Sequence, residues 1–278
     1  MASIINKIIK NWLTLFAAVI LLAALFAALG APLISKYDPA SANLRERLKP
    51  PLIKGHLLGT DTLGRDLLQR VIHGTRVSIA VGVTSVLIAG FFGTMVGLIS
   101  GFYGGWTDRI IMRFVDMQLS FPFVVLALTI AAILGPSFQN IIITLAVSSW
   151  VIYIRLVRGE VLAIKEQQFI QAAYTLGLPD WRTMVLHILP NVLSPVIVLA
   201  SLEVGRMIIA EAAISFLGFG VQPPTPAWGS MLSEGRDYMM TAWWLTVFPG
   251  SAIVMTTLSV NIVGDKLRDK LDPKLRLL

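Results

Sequence analysis

Three charged residues interrupt an otherwise apolar stretch near residue 200, and their types limit the chemistry that they can perform. Glu203 and Arg206 lie three residues apart near the middle of the stretch, and Glu211 follows toward its end. A charge at membrane depth is costly unless it is paired or hydrated. We therefore predict either an internal ion pair between Glu203 and Arg206, or residues that line a path or contact a second protein. For Glu211, a gate or a partner contact is expected.

The sequence has none of the motifs that organise common catalytic sites. It lacks a nucleotide-binding loop of the form G-x-x-x-x-G-K-S/T, an H-E-x-x-H pair and a serine elbow. Cysteine is absent, which excludes disulfides, thiolate metal sites and cysteine nucleophiles. The three histidines, His56, His73 and His187, do not have the spacing of metal ligands. We predict that the chain is not an enzyme and holds no metal or cofactor of its own.

The composition indicates an integral membrane protein. Of the 278 residues, 55% are hydrophobic and 14% are charged, whereas soluble domains average about 25% charged residues. With a mean hydropathy of +0.75, the chain has too few polar residues to cover a soluble core. The net charge is +7, but bases and acids are interleaved. We assign the excess to loops at an anionic cytoplasmic surface and predict no nucleic-acid partner.

Six apolar runs approach the roughly 20 residues that a helix needs to cross a bilayer. They cover residues 12–34, 77–102, 119–134, 138–157, 192–216 and 242–263. Backbone polar groups in lipid must be satisfied within the segment, which favours helices. The first run is longer than the apolar region of a cleaved signal peptide, so we predict that it remains a span. The sequence thus predicts an all-α membrane protein with six transmembrane helices.

The distribution of basic residues predicts that both termini are cytoplasmic. This orientation puts more Lys and Arg inside than outside, although the segment between the first two spans is itself basic. Residues 1–76 are expected to form the first span and an external segment. Residues 77–278 are expected to form a five-helix core with a polar cytoplasmic insertion at about 159–190.

The external segment is predicted to end in an amphipathic helix that lies in the membrane interface. Apolar residues recur there near the helical period, at Leu63, Leu67, Leu68, Val71 and Ile72. The other face would carry Arg65, Asp66, Gln69 and Arg70. Asp66 and Arg70 are spaced for an i,i+4 ion pair on that face.

The polar insertion is predicted to form a helix, a sharp turn and a second helix. Residues 160–176 are good helix formers, and Gly177 follows where a helix end favours a residue tolerant of positive φ. Asp180 is placed to cap a new helix that starts at Trp181. Ala172 and Ala173 would offer a small-residue face that a partner protein can approach closely.

These residues resemble a motif of one protein family. Gln171-Ala172-Ala173, then Gly177, then Ile188-Leu189-Pro190 are similar to the cytoplasmic coupling loop of bacterial ATP-binding-cassette (ABC) importer permeases. Residues 58–76, 97–122, 211–231 and 261–276 resemble the dipeptide, oligopeptide and nickel branch, and in particular the second permease of each complex. That family usually has Glu where this chain has Gln171, which puts any charge interaction of that glutamate in doubt.

The resemblance implies a type I ABC importer permease fold in the bacterial cytoplasmic (inner) membrane. It implies a second homologous permease, two ABC ATPases that bind ATP and Mg, and an extracytoplasmic substrate-binding protein as partners. The residues that would couple to the ATPases are Gln171, Ala172, Ala173, Gly177, Asp180 and Pro190. The solute would be a di- or oligopeptide. Nickel or metal–opine complexes are an alternative, and an ion-gradient secondary transporter is a third hypothesis.

A second group of charges is predicted to lie in a short inner loop between spans two and three. It follows glycines at positions 101, 104 and 105 and contains Asp108, Arg109, Arg113 and Asp116. This loop either orients the chain through its positive charge or makes a second contact near the ATPase or the coupling loop.

Overall fold

Helices form nearly all of the regular structure. The computed structural model describes residues 2–34, 38–53 and 55–271. The long helices are α1 Ala2–Ile34, α2 Leu67–Tyr103, α3 Gly105–Leu119, α4 Phe123–Leu134, α5 Phe138–Lys165, α8 Leu189–Phe216 and α10 Trp244–Leu271. Shorter helices are α6 Gln168–Thr175, α7 Asp180–Arg182, a π-helical turn Thr183–Ile188, and α9 Trp228–Gly235.

The described residues contain five helices that are long and apolar enough to cross a membrane. The count reaches the predicted six when α3 and α4, which meet at a 92° bend, are taken together as one broken span. The prediction of an inner loop carrying Asp108, Arg109, Arg113 and Asp116 is wrong, because these residues lie in α3. The break falls before Pro122, whose ring cannot donate a helical hydrogen bond to the preceding turn.

A row of glycines brings α2 and α5 into close contact along most of their length. A Cβ atom at Gly93 would lie 2.6 Å from the Trp150 carbonyl oxygen, and one at Gly97 would lie 2.9 Å from that of Ile154. One turn further, a Cβ at Gly101 would lie 2.8 Å from Val161. Small residues let membrane helices approach backbone to backbone. The glycines therefore let α2 and α5 pack backbone to backbone toward the C-terminal ends of both helices.

The external segment differs from its prediction. No separate interfacial helix precedes span two in the described chain, because residues 67–76 are the first turns of α2 and the boundary at residue 76 falls inside that helix. Asp66 caps α2 by accepting from the Gln69 amide at 2.9 Å, and it does not pair with Arg70. The polar face expected at the membrane surface is instead buried: Arg65, Asp66, Gln69 and Arg70.

The two ends of the bundle are built differently. Residues 38–53, 55–66 and 217–243 fold together at one end, which we call the cap end, around an apolar cluster that includes Leu67, Trp228 and Trp244. The α5–α8 connection and the α2–α3 turn lie at the other end, which we call the loop end. The first candidate site, in the polar insertion, belongs to the loop end.

Candidate functional site

The α5–α8 connection contains a tight helix end at the predicted position. Gly177 has a φ of 71°, and its amide donates to the Tyr174 carbonyl at 3.0 Å. The next amide, that of Leu178, donates to the Ala173 carbonyl at 3.1 Å. These two bonds are the Schellman motif, in which a left-handed residue ends a helix and satisfies its last carbonyls. The sharp turn at Gly177 and the second helix α7 are present. The helix predicted over residues 160–176 is divided, because α5 ends at Lys165 and α6 begins at Gln168.

The predicted residues of this connection do not all face outward. Ala172 is exposed, whereas Ala173 is buried against its own chain. Gln171 is exposed, and its side-chain amide donates to the Lys165 carbonyl at 3.0 Å, so it ties α6 to the end of α5. The prediction that Asp180 caps a helix starting at Trp181 is wrong. Asp180 is the first residue of α7, and Pro179 occupies the capping position without a side-chain bond.

The outward surface of the connection is more apolar than its sequence suggested. Leu176 is 78% exposed, and the same connection exposes three further large apolar side chains: Phe169, Trp181 and Leu186. Apolar side chains on a polar insertion are typical of a surface that binds another protein. Sequence reasoning concentrated on the alanines and the glycine and did not identify these residues, although aromatic residues within a polar insertion were a usable signal.

The inward surface of the connection packs on the helices of the bundle. Ile170 of α6 and Ile188 of the π-helical turn are fully buried in the main core cluster. The ring of Tyr174 lies 6.3 Å from that of Phe102, in the last turn of α2. α6 is therefore seated on α2 and α5, and a displacement of α6 would press on both helices.

The intramembrane charges form one pair and one separate buried carboxylate. Arg206 contacts Glu203 at 3.1 Å, which matches the predicted internal i,i+3 pair, and the guanidinium carbon lies 4.5 Å from the Phe123 ring centroid. The Arg206 side chain remains 40% exposed on the surface of this chain. Glu211 is fully buried and accepts from the hydroxyls of Ser78 at 2.9 Å and Ser215 at 2.7 Å. It thereby joins α8 to α2.

A buried ion network at the cap end was not predicted. The Asp61 carboxylate accepts from the guanidinium groups of Arg65 and Arg70, each at 2.6 Å. Both arginines also contact Glu234 of α9, at 2.9 and 2.6 Å. In addition, the indole of Trp244 donates to the Thr60 carbonyl at 3.2 Å. The network fastens the segment before α2 to α9, which is distant in sequence, and so holds the cap end together.

A histidine lies beside this network. The His56 ring contacts Asp66 at 2.7 Å and Glu46 at 3.1 Å. Burial opposes the charged form of His56, but hydrogen bonds to the two carboxylates outweigh it and raise the pKa above the ordinary 6.5. The pKa of Glu46 is lowered, chiefly by its hydrogen bond with Lys49 and then by that with His56. Because Asp66 also caps α2, the protonation of His56 is linked to the start of that helix.

Comparison with known proteins identifies the family. Residues 93–277 match the profile of the family described as the binding-protein-dependent transport system inner membrane component. Residues 2–51 match the profile described as the N-terminal TM domain of oligopeptide transport permease C. Both profiles describe transport components of membranes.

Individual relatives cover almost the whole chain. A dipeptide transport system permease protein of Alkalihalophilus pseudofirmus is 43% identical over 267 residues, which cover 96% of this chain and 88% of the relative. A probable D,D-dipeptide transport system permease protein of Escherichia coli is 42% identical over 94% of this chain and 88% of its own length. A glutathione transport system permease protein of Pectobacterium atrosepticum is 40% identical over 98% and 90%.

Proposed function

Because the chain belongs to the family of binding-protein-dependent transport system inner membrane components, we propose that it forms half of the translocation path of a bacterial ABC importer for di- and oligopeptides. It is a multi-pass inner-membrane protein and a transport subunit rather than an enzyme. The relatives described above are named for dipeptide, D,D-dipeptide and glutathione transport. Their names support a peptide solute over nickel or metal–opine complexes, and the dependence of the family on binding proteins argues against an ion-gradient transporter.

The proposed partners are a second homologous permease, two ABC ATPases and an extracytoplasmic substrate-binding protein. ATP and Mg would be bound and hydrolysed by the ATPases, so that this chain receives mechanical work. Both termini would be cytoplasmic, which puts the loop end inside and the cap end outside. The exposed Arg206, held by Glu203 at membrane depth, would face the path or the second permease, since lipid contact would be costly for its charge.

The observation that carries the proposal is the construction of the α5–α8 connection. It presents exposed apolar side chains such as Leu176 and Trp181 on one surface and is seated on α2 and α5 by the other. In the proposed mechanism, closure of the ATPase pair displaces α6, and the spans on either side of it change their packing between inward-open and outward-open arrangements. Gln171, Ala172, Gly177, Asp180 and Pro190 are the proposed coupling residues, with Ala173 supporting them from the buried side.

The substitution Gly177→Val tests the coupling role. A β-branched residue in the left-handed region is strained by more than the roughly 1–2 kcal/mol of an ordinary residue. No described atom lies within 4 Å of a Cβ at Gly177, so the effect would come from the backbone alone. We expect the transporter to assemble and hydrolyse ATP while peptide uptake is lost.

The matched control is Gly159→Val. Gly159 is helical and equally free of neighbours among the described residues, so uptake should persist. Normal uptake in the Gly177→Val transporter would contradict the coupling assignment.

Affinity purification of the tagged chain in mild detergent tests the partners independently, since recovery without an ATPase would contradict the importer. A reporter fused after Leu278 that reads periplasmic would contradict the orientation.

A further inference from the structure

The loop end contains a polar junction that joins four helices and that the coupling mechanism above does not use. α2 ends at Tyr103 and α3 begins two residues later, through Gly104 and Gly105, whose φ values are 63° and 53°. Such left-handed values permit a sharp reversal between the two helices. The first turn of α3 therefore lies beside the last turns of α2 and α5.

The centre of this junction is an ion pair between α3 and α5. Arg158 donates to both carboxylate oxygens of Asp108, from Nε at 2.5 Å and from the terminal nitrogen at 2.7 Å. Ser100 of α2 donates to the same carboxylate at 2.6 Å. A forked guanidinium–carboxylate pair fixes orientation as well as distance. The pair thus sets the position of the start of α3 relative to both α2 and α5.

The same junction reaches the α5–α8 connection. Lys165, the last residue of α5, donates to the Phe102 carbonyl at 2.6 Å and lies 5.6 Å from the centre of the Phe102 ring. The ring of Tyr174 in α6 also lies beside the Phe102 ring. A continuous set of contacts therefore runs from α6 through the ends of α2 and α5 to the Asp108–Arg158 pair.

α3 combines apolar and polar contacts with its neighbours. Val115 packs against Val151 and Ile154 of α5, beside an open pocket of about 380 Å³ that Phe114 and Val151 help to line. At the far end of α3, Gln118 accepts from the Trp150 indole at 2.9 Å and donates to the Val147 carbonyl at 2.8 Å. Beyond it, the 92° break before α4 removes helical continuity. α3 is thus a separate helix that packs on α5 through Val115 and is held by polar contacts near both of its ends.

We propose that Asp108 and Arg158 are positioning residues that make α3 move together with the α5–α8 connection, which we call the coupling loop. The inference rests on the proposed coupling function and extends it. α6 is connected along the chain to α5 and α8, so its movement reaches both helices directly. The Asp108–Arg158 pair then transmits that movement to α3, the first half of the broken span. The exposed face of α3 then moves with the loop, and that face holds Arg109 and Arg113, which make no ion pair with any described residue.

Distance measurements on the assembled transporter in lipid test this directly. The chain contains no cysteine, so spin-label pairs can be introduced without removing native residues. One pair joins Leu176 on the coupling loop to Met240 on the cap end, and the other joins Thr107 on α3 to Met240; all three are exposed. In the unaltered protein, ATP should change both distances. In the R158Q and D108N transporters, ATP should change the Leu176 distance and leave the Thr107 distance constant.

Uptake and ATP hydrolysis supply a second readout. Peptide uptake should fall roughly tenfold or more, the loss expected for one charge-assisted pair, while ATP hydrolysis continues. The D108N/R158Q double variant should be no worse than either single variant, because both remove the same contact. The matched control is R155Q, an exposed arginine on the same helix with no ion pair to a described residue, and it should leave both distances responsive.

The outcomes separate the inference from the function on which it rests. If ATP leaves the Leu176–Met240 distance unchanged in the unaltered transporter, the coupling role fails and the inference fails with it. If that distance changes, and the Thr107–Met240 distance changes equally in the R158Q and D108N variants, only the inference is overturned. An additive loss of uptake in the double variant would also overturn it, because the two side chains would then act through different contacts.

Discussion

The substitution Asp61→Asn should destabilise the cap end more than any conservative change on its surface. The four charges of the cap network cancel, since Asp61 and Glu234 face Arg65 and Arg70. Asp61 and Arg70 are only 3% and 2% exposed. Replacing the carboxylate by an amide leaves one uncompensated positive charge in a region that water hardly reaches.

The structure indicates which contacts are lost. One oxygen of Asp61 accepts from the amides of Leu63 at 2.8 Å and Arg65 at 2.9 Å, and an asparagine carbonyl can keep both bonds. The other oxygen accepts from Arg65 and Arg70. In the asparagine variant an amide nitrogen, itself a donor, would take its place and face the two guanidinium donors. Each charge-assisted bond is worth about 1.5–3 kcal/mol, and breaking a buried pair costs about 3–5 kcal/mol. Glu234 still contacts both arginines, so we expect the loss to stay within about 3–5 kcal/mol.

Thermal unfolding of the purified protein measures this loss. At about 2 °C per kcal/mol for a chain of this size, the midpoint should fall by roughly 6–10 °C. The control is Asp237→Asn, because Asp237 is 78% exposed in its pair with Arg236, and exposed changes usually stay within about 0.5 kcal/mol. If the two substitutions lower the midpoint equally, the network contributes no more than a surface pair, and the reasoning from burial is refuted.

Two further predictions concern other parts of the fold. Because the pKa of His56 is raised in the folded state, its stabilising contribution is fully present below its ordinary value of 6.5 and is lost as the pH rises through the raised value. The difference in unfolding midpoint between the native protein and His56→Gln should therefore be largest on the acid side of pH 6.5 and vanish at alkaline pH; a constant difference would contradict this. Gly93→Ala should cost about 1–3 kcal/mol of stability, since its Cβ would lie 2.6 Å from the Trp150 carbonyl. Gly159→Ala, where no described atom lies within 4 Å, should gain about 0.5–1 kcal/mol, and equal effects of the two changes would refute the close α2–α5 approach.

The spans were predictable because lipid exposure requires continuous apolar sequence. The broken third span was only half visible, since α3 is amphipathic and its polar residues resembled a loop. Its buried side, which includes Val115, carries too few apolar residues to register as a span. The residues of α3 that face the bundle recur at helical spacing, but the exposed arginines on the opposite face made the segment read as a polar loop.

The coupling loop and the cap end differed in predictability for a physical reason. Gly177 ends α6 through bonds to residues within the same turn, so its local sequence was sufficient. Arg70, in contrast, pairs with Glu234, which is 164 residues away, and no local pattern contains both. The sequence near Asp61 did contain one usable signal of a compact fold, which is the pair Gly59 and Gly64 on either side of it. A Cβ at Gly59 would lie 2.5 Å from a backbone oxygen, which indicates a folded rather than an extended segment.

The two ends of the bundle use ion pairs of different character, and this difference bears on which end can move. At the cap end, Asp61 and Arg70 are almost completely buried, so separating them would leave charges unpaired at high cost. At the loop end, Arg158 and Asp108 are 30% and 20% exposed. Water can solvate that pair, so the intact pair can move with the coupling loop at little desolvation cost. The π-helical turn Thr183–Ile188, a form common at functional sites, also lies at the loop end. We therefore expect conformational change to begin at the loop end and to turn about a cap end that stays intact.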